Sequence, residues 1–195
     1  MDAAALTSRF PATQDLAGKD MPTFRVAGSD LLAVVRTLRD EQGFDLLADL
    51  CGLEWKDRPV RFGVVLHLLS TTHKEYVRLH VDAVNDRVPS VSSLHPGANW
   101  HEREAYDMFG IVFEGHPDPR RILMWEAYPY HPLRKDFPLA GIEVPFPAAD
   151  VAEVTGQKVE PAPMMGGPFV SHGGKMSEGE PSALDQSWNE EKPKA

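Results

Sequence analysis

Cysteine is nearly absent: Cys51 is the single one in 195 residues. That excludes an internal disulfide, a cluster of iron and sulfur held by this chain's own thiolates, and a Cys-rich zinc site. Positive charge is also scarce, with 20 Lys+Arg against 29 Asp+Glu and a formal net charge of -9. A chain that must neutralise nucleic-acid phosphates needs the opposite balance. Apolar runs such as Gly63 to Leu69 fall far short of the roughly 20 residues that cross a bilayer. The opening MDAAALTSRFPATQDLAGKD lacks a basic stretch followed by an apolar core, so it does not read as a secretory signal. The expectation is a cytoplasmic protein whose membrane contact goes only through partners.

What remains is 42% hydrophobic residues, enough to bury a core of ordinary domain size. Residues 1–25 lack a clear period and read as a flexible N-terminal arm with at most a marginal first helix. Ser29 is a good N-cap, and Leu31, Val34, Val35 and Leu38 recur at helical spacing before Gly43. Phe44 to Leu50 is a short strand-like run, with a turn placed from Gly52 to Pro59. Arg61 to Leu69 is rich in branched residues, the pattern of a strand covered on both faces. Glu75 to Asp82 alternates, so Val77, Leu79 and Val81 face one way and Tyr76, Arg78, His80 and Asp82 the other. Pro89 and the serines after it interrupt the pattern. Asn99 followed by Glu102 resembles a capping box for a helix ending near Gly110, with Trp100 and Phe109 among its buried residues.

From Pro117 to Pro147 the chain carries seven prolines but keeps Ile122, Leu123, Met124, Trp125, Tyr128, Tyr130, Leu133 and Phe137. Such a stretch is too stiff for regular structure and too apolar for solvent, so residues 117–147 read as an extended partner-binding segment. Residues 148–195 hold six glycines, five prolines and 8 Asp+Glu against 4 Lys+Arg. That composition predicts a tail that is flexible or ordered only by a partner. The predicted fold is α+β: a two-layer sandwich of helices on a mixed sheet over residues 26–116, followed by the arm and the tail.

The chemistry-bearing motifs are thin. Eight histidines (His67, His73, His80, His95, His101, His116, His131, His172) show no metal-ligand spacing, and a zincin reading of His101-Glu102 fails because Ala105 stands where the second histidine belongs. Gly173-Gly174-Lys175 lacks the first glycine and the hydroxyl of a phosphate loop, and no GxGxxG follows a strand. Glu102 and Glu104 diverge around a helix, whereas Arg103 and Asp107 sit one turn apart and can pair. Cys51 reads as a buried, inert thiol. Arg120, Arg121, Arg134 and Lys135 lie among large apolar side chains, the composition of an interface. Treated as exposed charges, they matter to assembly more than to folding.

Several long strings then fall in one order. They are Asn99-Trp100-His101-Glu102-Arg103-Glu104-Ala105-Tyr106-Asp107-Met108-Phe109-Gly110-Ile111, Gly115-His116-Pro117-Asp118, Arg120-Arg121-Ile122-Leu123-Met124, and His131-Pro132-Leu133-Arg134-Lys135-Asp136-Phe137-Pro138. Together they closely resemble the signature of the 30 kDa subunit family of NADH-quinone oxidoreductase, respiratory complex I. Pro119 and the stretch Trp125 to Tyr130 depart from that pattern.

The resemblance implies a cofactor-free subunit of the peripheral arm, on the cytoplasmic face of the cell membrane. It implies packing against the quinone-site subunit and against neighbouring peripheral-arm subunits. FMN, iron–sulfur clusters, NADH and quinone would be bound by partner subunits, and the isolated chain would be inactive. It further implies an ion-pair network of Glu102, Arg103, Glu104 and Asp107, and a partner interface of Arg120, Arg121, His131, Arg134, Lys135 and Asp136. The alternatives are the equivalent subunit of a membrane-bound hydrogenase or of another quinone- or ferredoxin-linked dehydrogenase, a hydrolase using His101, Glu102 or Asp107, and a free-standing binding module.

Overall fold

The computed structural model describes residues 2–138; the tail predicted for 148–195 and the end of the 117–147 segment lie outside them. Residues up to Lys135 form one compact unit, and Asp136 begins the next. The architecture is α+β, with a mixed five-stranded sheet in the order β1-β2-β5-β4-β3.

The sheet is built on β4 (Phe62–Ser70) and β5 (Glu75–Asp82), an antiparallel hairpin that follows the sequence reading almost residue for residue. β3 (Leu46–Glu54) pairs antiparallel to β4, with a bulge between Leu47 and Asp49. It is longer than predicted and runs through Gly52, where the sequence placed a turn. A glycine is needed inside this strand because of packing: a Cβ on Gly52 would lie 2.5 Å from Cδ2 of Phe109. Gly52→Ala is therefore expected to destabilise the isolated chain by about 1–3 kcal/mol, the usual cost of forcing extra atoms into a packed site. An unchanged urea midpoint would show that the Phe109 ring yields freely.

Residues 2–25, read as part of an arm, carry regular structure. α1 (Ala3–Arg9) is capped by the Asp2 carboxylate, which accepts from the Ala5 N–H at 2.9 Å, and it buries Leu6. β1 (Gln14–Asp15) pairs antiparallel to β2 (Thr23–Val26), and β2 lies parallel to β5, sending Phe24 and Val26 into the core. Four residues beside Pro22 are too few to announce a strand from sequence.

A single 3-10 turn at residues 28–30 precedes α2 (Leu31–Asp40), so Asp30 occupies the N-cap position predicted for Ser29. α2 lays Leu31, Val34, Val35 and Leu38 on the sheet face formed by Phe24, Val26, Val64, Leu66, Leu68, Val77, Leu79 and Val81. Two further elements escape the sequence reading, β6 (Arg87–Pro89) and β7 (Val112–Glu114), which pair parallel in a second small sheet.

α3 (Ala98–Phe109) packs chiefly along β3 and shelters that edge of the sheet. Gly97, not Asn99, stands at its N-cap, so the expected capping box is absent. Asn99 is already helical, and the Glu102 side chain turns inward. Ala98, Glu102, Ala105 and Met108 form the buried stripe. Trp100 therefore projects away from the core and is 62% exposed, contrary to expectation.

Candidate partner-docking surface

Three carbonyls at the end of α3 require partners, because no helical N–H follows them. Gly110 stops the helix at φ +78°, a conformation that favours glycine, and a Cβ there would collide with Arg134 and His131. Those two residues, with the backbone between them, supply the missing partners. His131 Nδ1 lies 2.9 Å from the Asp107 carbonyl, the Leu133 N–H donates to Met108 at 3.1 Å, and Arg134 Nε donates to Phe109 at 2.6 Å. The cationic Arg134 also sits at the negative end of the helix dipole, with its guanidinium 4.9 Å from the Phe62 ring centre. His131-Pro132-Leu133-Arg134 is thus a C-cap delivered from a distant part of the chain. Burial holds the His131 imidazole below its ordinary range, although the Asp107 carbonyl favours its charged form.

One turn of the segment is gathered by a single carboxylate. Asp107, fully buried, accepts from the Arg121 guanidinium at 2.5 Å and from the N–H groups of Ile122, Leu123 and Met124 at 3.0, 2.6 and 2.8 Å. Burial alone would push this carboxyl up. The Met124 and Leu123 N–H groups, the Arg121 guanidinium and the Ile122 N–H outweigh it and leave Asp107 below the usual carboxylate range. Arg103 acts from the helix in the same sense. Its Nε and Nη2 donate to the carbonyls of Arg120 and Arg121, each at 3.0 Å.

These contacts revise the sequence-based network. Arg103 does not pair with Asp107; its carboxylate neighbour is Asp118, at 3.8 Å. Asp107 takes Arg121 instead, whose side chain is 8% exposed and so is no surface charge. Glu104 is exposed and makes no ion pair among the described residues. Arg120 is exposed and pairs with Asp118 at 2.6 Å. Lys135 contributes its backbone N–H, which donates to Glu54 at 2.6 Å, while Asp136 lies past the end of this unit.

Glu102 belongs to a separate, wholly buried cluster. Its carboxylate accepts from the Ser90 hydroxyl at 2.6 Å and the Val91 N–H at 2.7 Å, fixing the chain between β6 and α3. His116 Nε2 lies 3.8 Å away, and hydrogen-bonds the Asn99 carbonyl at 3.1 Å. Its Nδ1 accepts from the Asp118 N–H at 2.9 Å, which places the proton on Nε2. Burial lifts the Glu102 carboxyl to about 7, with Ser90, Val91 and Ser92 pulling against it.

Locked down in this way, the 117–135 segment leaves large apolar side chains outside. Leu123 is 60% and Leu133 55% exposed, and the backbone N–H of each is tethered to α3, on which the exposed Trp100 stands beneath Arg103, 5.4 Å from its guanidinium. Apolar groups interleaved with arginines suit a protein–protein contact. Among the described residues no group of three or more His, Cys, Asp or Glu is placed to hold a metal ion. Cys51 is exposed in the middle of β3, not buried.

Residues 24–143 match the family model for the respiratory-chain NADH dehydrogenase, 30 Kd subunit. Among similar proteins, the NADH-quinone oxidoreductase C subunit of Phenylobacterium zucineum is 52% identical over 105 residues, covering 53% of this chain and 50% of that one. Its counterpart in Rhizobium leguminosarum bv. trifolii is 48% identical over 124 residues, 61% of either chain. The chain thus spans half to about three fifths of the length of the curated relatives it matches. A trypsin-resistant fragment of Nqo5 shares the fold at TM-score 0.53 and 31% identity, covering 60% of this chain and 99% of its own. A chain of the membrane-bound sulfane sulfur reductase, an archaeal respiratory membrane complex, shares the fold alone, at TM-score 0.57 and 20% identity, over 82% of this chain and 93% of that one. A family model matched across more than half of the sequence makes this chain a member of the family of the respiratory-chain NADH dehydrogenase 30 kDa subunit.

Proposed function

We propose that the chain is a peripheral-arm subunit of a proton-translocating NADH-quinone oxidoreductase, holds no redox centre, and packs against the quinone-site subunit. In this reading FMN, the iron–sulfur clusters, NADH and quinone belong to partner subunits, and this chain works by positioning them. The observation that carries it is the exposed set of Trp100 on α3 and of Leu123 and Leu133 on a segment fastened to α3 by polar contacts. A rigid platform carrying aromatic and aliphatic anchors beside arginines is what a permanent subunit contact uses. The same reading gives the chain a peripheral place on the cytoplasmic face of the membrane; among the described residues no helix is long and apolar enough to cross one.

The test is purification of the tagged chain from its own membranes in mild detergent. Flavin- and iron–sulfur-bearing subunits should accompany it, with NADH-to-quinone activity in the eluate. A nickel-iron subunit in their place would move the chain to a hydrogenase-type complex. Trp100→Glu and Leu123→Glu should each cut recovery of the quinone-site subunit about tenfold, the effect of losing one anchor. Thermal melting of the isolated chain should not change, since both side chains face solvent.

A further inference from the structure

α3 lies along the β3 edge of the five-stranded sheet, and α2 covers one of its faces. On the other, Arg25 of β2, His80 of β5, Val65 of β4 and Cys51 of β3 stand directly opposite one another in a single row. The neighbouring row holds Thr23, Arg78, His67 and Asp49. Arginine and histidine are therefore set side by side across the strands, an arrangement that costs energy whenever both carry charge. In the second row the cost is met: Arg78 pairs with Asp20 at 2.7 Å and donates to His67 at 2.9 Å, and Asp49 lies 3.9 Å from His67.

In the first row it is not met. Arg25 forms no ion pair among the described residues, and its Nε is buried with no hydrogen-bond partner. Burial and the nearby Arg78, Arg25, His67 and Arg58 push the His80 imidazole below its ordinary range. Asp82, the next acid along this face of β5, is paired with neither of them among the described residues. In a chain of net charge -9, a half-buried cationic centre without an acid is a site left for one from outside. Its surroundings are a broad strand surface bearing Leu69 and the exposed Tyr76, cross-strand neighbours. Such a surface suits a polypeptide better than a small anion.

We propose that this sheet face, whose Gly63 end is covered by Trp55, is a second docking surface, which takes a carboxylate-bearing segment of a neighbouring protein subunit and sets an Asp or Glu side chain between Arg25 and His80. The proposal rests on the reading of the chain as a subunit of a larger complex. It concerns a different face and a different chemistry from the apolar platform on α3.

Cys51, exposed in the same row, is a built-in reporter. Maleimide labelling followed by mass spectrometry is compared between the purified complex and the isolated full chain. A second reporter, Tyr76→Cys in a Cys51→Ala background, samples the side of the face away from α3. Both thiols should be labelled in the isolated chain and at least about tenfold slower in the complex. Arg25→Glu should abolish the protection at Tyr76→Cys, whereas Arg25→Lys should keep it. Equal labelling in both states, with partners still co-purifying, would overturn the docking surface and leave the proposed function standing. Failure to recover any complex would remove both. Protection of the isolated chain by inorganic phosphate or by vesicles of anionic lipid would overturn the protein occupant.

Discussion

Asp107→Asn is expected to lower the stability of the isolated chain by about 3 kcal/mol, the cost of leaving a buried cation without its counter-ion. The cation is Arg121, and the same substitution weakens three backbone N–H contacts that order residues 122–124. Trypsin should then cut after Arg120 and Arg121 faster than it does in the wild-type chain. Arg120→Ala is the control: that side chain is exposed on Asp118, and the urea midpoint should not move. An unchanged midpoint for Asp107→Asn would mean that something other than this carboxylate holds the segment. The pH dependence has a definite sign. A carboxyl lowered on folding contributes stability above the ordinary carboxylate range and loses it as pH falls through its folded value. The segment should therefore loosen in acid.

Glu102 should show the opposite slope. Its carboxyl is raised from 4.5 to about 7, so the native state keeps a proton that the unfolded chain has already released. Stability then falls as pH rises from the ordinary glutamate value through 7, by about 3 kcal/mol in all. Glu102→Gln keeps an acceptor for Ser90 and Val91 while removing the titration. Urea midpoints measured across this range should decline for the wild type relative to Glu102→Gln, with the two closest at the acid end. Parallel curves would show that Glu102 stays ionised throughout, with His116 and the Ser90 hydroxyl compensating its burial.

The elements legible in the sequence are those whose periodicity is uninterrupted and whose partners are close along the chain. α2 displays its stripe within ten residues, and β4 and β5 are joined by a tight turn. β2 is invisible because its pairing is with a strand more than fifty residues on, and nothing in Thr23-Phe24-Arg25-Val26 states that. The candidate site divides along the same line. Helical spacing offers Arg103 as the partner of Asp107, since a neighbour one turn away is all that local geometry can supply. The actual donors arrive from 14 to 17 residues downstream. The family resemblance singles out the right strings without saying what they do to one another. A usable signal is present nonetheless. A helix stopped by Gly110 leaves carbonyls open, and a later Arg beside a proline-stiffened turn is a suitable donor for them.

The parallel pairing of β2 with β5 also bears on how the chain is made. Thr23 lies opposite Arg78, so β2 leaves the ribosome well before the strand it must join exists. At the usual rate of about 5–20 residues per second, that interval amounts to several seconds. Throughout it, Leu6, Phe24 and Val26, all buried in the finished fold, have no surface to rest on. The hairpin of β4 and β5 and the helix α2 can condense first, and the N-terminal strand is then added to a sheet edge that is already formed. Until that addition β5 is an open edge with an alternating apolar face, a template for strands of other chains. A nascent chain of this protein is thus most exposed to mispairing in the window between synthesis of β5 and capture of β2, which is when a chaperone would be of use to it.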